Sequence, residues 1–329
     1  MAKEKFKIVF LDKGYFPTIA PLQEAVAGIG AEVIEVEVKT EEDIIAAGKD
    51  ADVIINIIPK VQRRAIESFP RCKMILRMGI GYDEVDVEAA TARGIMVCNV
   101  ADYCHDEVSN HALTLLLTVA RKVKPFDENL RQGKWGWRHV RPLYEIRDKT
   151  LGLVAFGKIP RCLTPKAQGL GLKVIAFDPY LYDDIFDKWG VERRLDLEDL
   201  VAESDFVSVH APYNQETKGM IGEPEFRRMK KTAIFVNTSR GPVVDEPALI
   251  KALQEGWIAG AGLDVMVQEP ISVNNPLLQA PNLILTPHAA WYSERSVQVL
   301  IQNGMADVVR ALQGKRPKNL VNPQVLWKK

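Results

Sequence analysis

The chain has 329 residues, enough at roughly 100 to 200 per domain for two or three domains, and its 47% hydrophobic content can fill a core in each, which excludes a disordered tail protein. Its 43 basic and 43 acidic residues cancel, so there is no bulk field to hold nucleic acid or an anionic membrane, and any binding charge has to be local. Four cysteines (Cys72, Cys98, Cys104, Cys162) without a CxxC pair are too few for a disulfide scaffold; they read as buried, reduced thiols and point to the cytosol.

The charged start Met1-Ala2-Lys3-Glu4-Lys5 leads into Ile8-Val9-Phe10-Leu11, which stops at Asp12. That run is too short for a signal-peptide core and reads as a first strand. Strands are expected at Lys7–Leu11, Glu32–Val36, Val53–Ile57 and Met74–Leu76, separated by helices such as Leu22–Ile29, which Gly30 stops. Continuous apolar runs of this kind suit parallel strands covered on both faces and joined by helical crossovers. After residue 100, Val108, Ala112, Leu115, Leu116 and Val119 share one face of a long helix, with Asp106 and Glu107 in its first turn and Arg121, Lys122 and Lys124 at its end. This helix is expected to bridge two domains. Its apolar stretch Ala112–Ala120 is about half of the roughly 20 residues a bilayer span needs, so no membrane segment is expected.

A second series follows with six strands, Thr150–Val154, Lys173–Phe177, Phe206–Val209, Ala233–Val236, Gly260–Leu263 and Leu283–Leu285. Six in succession suit a doubly wound nucleotide-binding sheet. A last helix, about Ser293 to Gln313, lies beyond that sheet and is expected to return to the first domain. The expected fold is α/β with parallel sheets in two Rossmann-like domains. One is a flavodoxin-like substrate domain of residues 1–99 and 293–329, the other a cofactor domain of residues 100–292, and two crossings imply a hinged cleft.

After Leu151-Gly152-Leu153-Val154 comes Ala155-Phe156-Gly157-Lys158-Ile159-Pro160, in the place and spacing of a GxGxxG turn but with only the middle glycine. The next strand ends in Asp178, 21 residues after Gly157, where an acidic side chain accepts the ribose hydroxyls and repels the extra phosphate of NADP. NAD is therefore the expected cofactor. Gly157 lets the backbone approach the pyrophosphate, and the N–H groups of Lys158 and Ile159 at the helix start can donate to it. Ala155 is tolerated in this turn if its φ is negative. Pro160 is acceptable in a first helical turn. Pro165 is not, at a cost of about 3 kcal/mol in a helix interior, so the first helix is expected to be kinked, shortened or displaced and cofactor binding weakened or altered.

Three polar groups fall at strand ends on the side where such sheets bind ligands: Arg240, Glu269 and His288. Each alone has an ordinary alternative, as a turn, loop or packed residue. Reduction of a 2-oxo acid needs a cation to hold the carboxylate and polarise the carbonyl, and a proton donor for the alkoxide that forms. Arginine suits the first through its fork of donors, and histidine the second through a pKa near neutrality. A neighbouring Glu269 would orient the imidazole and stabilise its protonated form.

On these residues the chain resembles the D-isomer-specific 2-hydroxyacid dehydrogenase family over almost its whole length. The motifs are Arg77-Met78-Gly79-Ile80-Gly81-Tyr82-Asp83, Gly94-Ile95-Met96-Val97-Cys98-Asn99, His210-Ala211-Pro212, Asn237 to Asp245, Glu269-Pro270 and Thr286-Pro287-His288. Within the family, His288 to Glu294 is most similar to the C-terminal-binding-protein branch and its bacterial relatives. The resemblance implies Arg240 as substrate-binding arginine and His288 as acid/base with Glu269 as its partner. It implies Gly79, Ile80 and Gly81 as backbone donors near the substrate carboxylate, with Arg77 close by and Trp291 lining the pocket. It also places Ala211, Pro212, Thr217, Thr238 and Asp264 around the cofactor, and implies a homodimer through the cofactor domain. Trp291 suggests an apolar or aromatic substituent on the substrate.

His105 and His111 flank Glu107, but six residues turn them about 120° apart on a helix, so no metal site is expected. Trp135 and Trp137, with Arg131, Arg138, His139 and Arg141, form a basic aromatic stretch of a kind that contacts ligand or nucleic acid, which the resemblance implies is a dimer contact or pocket edge. The expected activity is NAD-dependent transfer of a hydride between nicotinamide and C2 of a D-2-hydroxy or 2-oxo acid. Two other readings stand beside it: a nucleotide-sensing regulatory or scaffold protein of the C-terminal-binding-protein type, and cofactor-independent proton transfer by the same Arg and His.

Overall fold

The computed structural model describes residues 5–326. Most of the charged start, Met1-Ala2-Lys3-Glu4, and the last three residues of the expected substrate domain lie outside them. In chain order the first elements are β1 (Phe6–Phe10), α1 (Ala20–Val26), β2 (Ala31–Glu35), α2 (Glu41–Gly48), β3 (Val53–Asn56), α3 (Arg63–Glu67), β4 (Met74–Arg77), α4 (Val87–Ala92) and β5 (Met96–Cys98). There follow α5 (His105–Ala120), α6 (Val123–Arg131), β6 (Thr150–Val154), α7 (Lys158–Gly169), β7 (Lys173–Phe177), α8 (Asp183–Asp187), β8 (Glu192–Arg194) and α9 (Leu197–Glu203). The rest are β9 (Phe206–Val209), α10 (Glu223–Arg228), β10 (Ile234–Asn237), α11 (Glu246–Gln254), β11 (Gly260–Leu263), β12 (Leu283–Leu285) and α12 (Glu294–Leu312). Two compact units result, one from the segments up to Tyr103 and from Ser293 onward, the other from Cys104–Tyr292.

The first unit holds a parallel sheet in the flavodoxin-like order β2-β1-β3-β4-β5. Every residue of β3 and β4 is buried, as non-alternating apolar strands require when both faces are covered. Thr40 starts α2 with a capping box, accepting from the Asp43 N–H while the Asp43 carboxylate accepts from the Thr40 N–H. The C-terminal segment is integral to this unit: buried Asn322 accepts from the Val97 N–H at 2.7 Å, and buried Asp307 on α12 accepts from Lys318 and Asn319 N–H groups.

The second unit is a seven-stranded parallel sheet ordered β12-β11-β10-β9-β6-β7-β8. Counted within the unit, this is the doubly wound 3-2-1-4-5-6 order with a strand added. The extra strand relative to the expected six is β8, Glu192-Arg193-Arg194, a three-residue charged edge that no apolar run announces. The face of α5 read from the sequence is buried, through Val108, Ala112, Leu115, Leu116 and Val119.

The helix after β6 is not shortened. It is one uninterrupted helix of 12 residues, Lys158–Gly169, with Pro165 inside it. Burial of Pro160, Leu163, Thr164 and Ala167 holds the segment helical, and the Thr164 hydroxyl donates to the Pro160 carbonyl at 2.9 Å. Lys166, the residue after Pro165, reaches α5 and donates to Asp106, Ser109 and Asn110 at 2.6–2.7 Å. Tertiary contact thus outweighs the lost helical bond. Ala155, in the turn before it, has φ 68°, in the left-handed region, so the condition of a negative angle is not met.

Candidate active site

In the second unit the chain order reverses at β6, which is flanked by β7 and β9, and ligands of such sheets bind beyond the strand ends at that point. The turn after β6 leads through Ala155 to Gly157, the residue before α7. A Cβ built on Gly157 would meet no atom within 4 Å, so the space against the backbone is open where a pyrophosphate would lie. The helix N-terminus behind it, at Lys158 and Ile159, carries the positive end of the helix dipole. Asp178 follows β7 with its carboxylate fixed by the Phe156 N–H at 2.9 Å and the Tyr180 N–H at 3.0 Å. Beyond β9, the Thr217 hydroxyl donates to the Pro212 carbonyl at 2.6 Å and closes the loop that begins at Ala211. At the end of β10 the Thr238 Oγ1 is buried without a hydrogen-bond partner among the described residues, an unmet polar atom that a ligand would satisfy. These features fit a dinucleotide.

Arg240 stands three residues beyond β10. Buried Asn237 builds its turn, accepting from the Ser239 N–H and hydroxyl and donating to the Arg240 carbonyl at 3.0 Å. The next residue must be glycine, because a Cβ at Gly241 would sit 2.0 Å from the Met266 carbonyl. That close approach brings the Arg240 turn beside the 266–269 loop. There Glu269 accepts from the Met266 N–H at 2.9 Å and holds His288 Nδ1 at 2.6 Å. Burial alone would push the Glu269 carboxyl up, but the bonds to His288 and Met266 and the charges of His288 and Arg240 outweigh it and hold the carboxyl below its usual range. The trio expected from the sequence is thus brought together, with Arg240 acting electrostatically on the Glu269–His288 pair.

His288 has φ 53°, and its backbone wraps around Asp264. The His288 N–H donates to the Asp264 carbonyl at 2.7 Å, and the Ala289 and Ala290 N–H groups each donate to the Asp264 carboxylate at 2.9 Å. Asp264, expected beside the cofactor, is 1% exposed and its carboxylate is turned to these protein donors. Trp291 follows, edge-on to Tyr292. His210, at the end of β9, is no rival acid/base: burial lowers its pKa to about 3, and its ring is bonded to Ser208 at 2.9 Å. Sequence reasoning missed Ser208, and also Thr286 and His111, which bond each other at 2.9 Å. His111 carried a signal only as a failed metal ligand.

In the first unit, Arg77 at the end of β4 is 8% exposed and forks onto Glu84 at 3.1 and 3.3 Å. Its guanidinium is therefore already paired. Gly79 keeps room for it, since a Cβ there would lie 1.6 Å from Arg77 Nη1. Of the three backbone donors expected, the Gly79 N–H already bonds the Arg77 carbonyl at 3.0 Å, whereas those of Ile80 and Gly81 have no acceptor among the described residues. Asp12, missed from the sequence, accepts from the Ile57 and Ile58 N–H groups at 2.8 and 2.9 Å, and burial raises its pKa.

Residues 113–290 match the family described as D-isomer specific 2-hydroxyacid dehydrogenase, NAD binding domain. The chain is 41% identical over 287 residues to a glyoxylate reductase of Korarchaeum cryptofilum, covering 86% of each chain. It is 36% identical over 290 residues to a glycerate dehydrogenase of Methylorubrum extorquens, covering 86% of this chain and 89% of that one. Among solved structures it is similar to the D-lactate dehydrogenase of Aquifex aeolicus in complex with NAD and lactic acid, with a TM-score of 0.85 and 25% identity over 96% of this chain and 99% of that one.

Proposed function

Since the chain belongs to the D-isomer specific 2-hydroxyacid dehydrogenase family, and is an NAD-dependent oxidoreductase of 2-hydroxy and 2-oxo acids, we propose that its substrate is glyoxylate and that Arg240, Glu269 and His288 carry the transfer. The observation behind the roles is the 2.6 Å bond between His288 Nδ1 and Glu269, with the Arg240 charge felt at the same carboxylate. Because Nδ1 is held by Glu269, Nε2 is the nitrogen that gives its proton to the substrate oxygen. Arg240 holds the carboxylate with its fork and polarises the adjacent carbonyl. Glu269 keeps the ring oriented and balances the imidazolium. Gly157, Lys158, Ile159, Asp178, Ala211, Pro212, Thr217 and Thr238 hold NAD, which when bound supplies the hydride. Trp291 lines the substrate pocket of the second unit; in the first unit, Gly79 shapes the loop that carries the Ile80 and Gly81 N–H groups, and Arg77, tied to Glu84, stiffens it.

A homodimer through the second unit is also proposed. It is supported by α6, which has no buried residue and whose Pro125 and Glu128 line a groove of about 620 Å³ together with Val119, Ile146 and Phe206, and by Trp135 and Trp137, which are 86% and 59% exposed. A cytosolic setting is supported by four free cysteines, with burial pushing the Cys72 thiol up to about 12. No helix among the described residues is long and apolar enough to cross a membrane.

A panel of glyoxylate, pyruvate and phenylpyruvate with NADH and NADPH tests the reading. Glyoxylate with NADH is expected to give the highest kcat/KM, and His288→Ala to lower kcat by about 10³-fold. Preference for phenylpyruvate would replace glyoxylate with the apolar substituent that Trp291 suggests. Affinity with the C-terminal-binding-protein branch rests on His288 to Glu294 alone; NADH binding without turnover of any oxo acid would move the protein to that branch's regulatory role.

A further inference from the structure

We propose that Thr286 and His111 are positioning residues that set the backbone of His288 through Asp264; this rests on His288 being the acid/base. The left-handed φ of 53° at His288 is unfavourable for a residue with a side chain and persists only where its surroundings over-determine it. Those surroundings converge on Asp264. Its carboxylate accepts from the Ala289 and Ala290 N–H groups, and Thr286 Oγ1 lies 2.6 Å from the Oδ1 that takes the Ala289 bond.

A carboxylate only accepts, so the single hydroxyl proton of Thr286 is directed at Asp264, the 3.5 Å approach to the Leu263 carbonyl being much the weaker alternative. The Thr286 oxygen then faces His111 Nε2, 2.9 Å away, with a lone pair, and His111 has to donate. The geometry therefore assigns the proton of His111 to Nε2, a nitrogen that also lies 3.6 Å from Asp264 Oδ1. The chain of bonds runs from an interior position of α5, through the hydroxyl two residues before His288, to the carboxylate that gathers the two N–H groups after it. Without the hydroxyl, Asp264 Oδ1 loses its shortest bond and the 286–290 turn loses a fixed side, so the imidazole can leave its alignment with little effect on cofactor binding elsewhere on the sheet.

The test compares Thr286→Val, which keeps the shape and removes the hydroxyl, with Thr286→Ser, which keeps the hydroxyl. Thr286→Val is expected to lower kcat about tenfold with the NADH dissociation constant held within about twofold, Thr286→Ser to retain at least about half of wild-type kcat, and His111→Leu to fall between them. With only five histidines in the chain, the imidazole ¹⁵N signals of labelled protein give a readout independent of turnover. The His288 signals should move in Thr286→Val and return in Thr286→Ser. Wild-type kcat in Thr286→Val, equal losses in the two variants, or unmoved His288 signals would each overturn the positioning role. A wild-type protein inert toward every 2-oxo acid would instead defeat the enzymatic reading, and the imidazole signals would still decide whether Thr286 sets His288.

Discussion

Two turns of the same sheet hold a side-chain-bearing residue in the left-handed region: Ala155 after β6, at φ 68°, and His288 after β12, at φ 53°. They differ in how they are held. Around His288, three consecutive N–H groups end on Asp264, and Glu269 fixes the ring. Around Ala155 the supports are spread over three separate partners: its own N–H on the Phe177 carbonyl at 2.8 Å, the Phe156 N–H on Asp178 at 2.9 Å, and the Arg161 side chain on the Phe156 and Gly157 carbonyls at 2.9 and 3.1 Å. The catalytic corner is over-determined because the imidazole must point one way. The phosphate turn only has to keep its backbone open, a task glycine does without strain and alanine does with it. Removing supports should therefore cost much at the His288 corner, and relieving strain should give a small gain at the Ala155 turn.

The largest effect is expected from Asp264→Ala. It leaves the Ala289 and Ala290 N–H groups without their acceptor, and the Thr286 hydroxyl as well. A destabilisation of roughly 3 kcal/mol follows from unsatisfied buried donors, which corresponds to a fall of about 10 °C in Tm for a unit of this size. Thermal unfolding followed by circular dichroism reads this directly. A fall no larger than that of a surface substitution would mean the corner is not over-determined after all.

Glu269→Gln should come next, acting on activity more than on stability. The amide keeps the shape but cannot balance an imidazolium, and kcat is expected to fall about 10²-fold. The wild-type pair also carries a pH signature. The folded Glu269 carboxyl is held below its usual range, so its contribution to stability is fully present above the unfolded value of about 4.3 and is lost as pH falls through the lower folded value. The Tm difference between wild type and Glu269→Gln, followed down an acid series, should therefore hold at neutral pH and shrink only below that range. A difference that disappears nearer neutrality would remove the bond at 2.6 Å from the account.

The contrast between the two turns also marks what was legible in the sequence. Apolar runs with helical spacers gave away both sheets, because parallel strands covered on two faces leave an unbroken hydrophobic signature. Arg240, Glu269 and His288 could be named since each follows a readable strand. The edge strand Glu192-Arg193-Arg194 could not, as it is short and charged where edges are kept from pairing. Helix continuity through Pro165 depends on burial against partners that lie far off in the chain, and the bond between His111 and Thr286 spans 175 residues with no local trace. The sign of φ at Ala155 was equally hidden. A turn motif with a missing glycine reads as relaxed geometry, but the strand, Asp178 and α7 impose the glycine's conformation on alanine.

That last point makes Ala155→Gly the smallest and most discriminating change. Left-handed φ costs an L-residue about 1–2 kcal/mol, and the greater freedom of glycine in the unfolded chain takes back about 0.4–1 kcal/mol. The net gain should be about 0.5–1 kcal/mol, a rise of roughly 2 °C in Tm. Since the turn already has the conformation a glycine would adopt, the substitution adds no new geometry, and the NADH dissociation constant measured by fluorescence titration should change by less than about twofold. The two measurements separate strain from shape. A higher Tm with unchanged affinity means the departure from GxGxxG is borne as stored strain by an intact phosphate site. Affinity that rises tenfold means alanine had deformed the site, and the likeness between the two turns would then end at their φ angles.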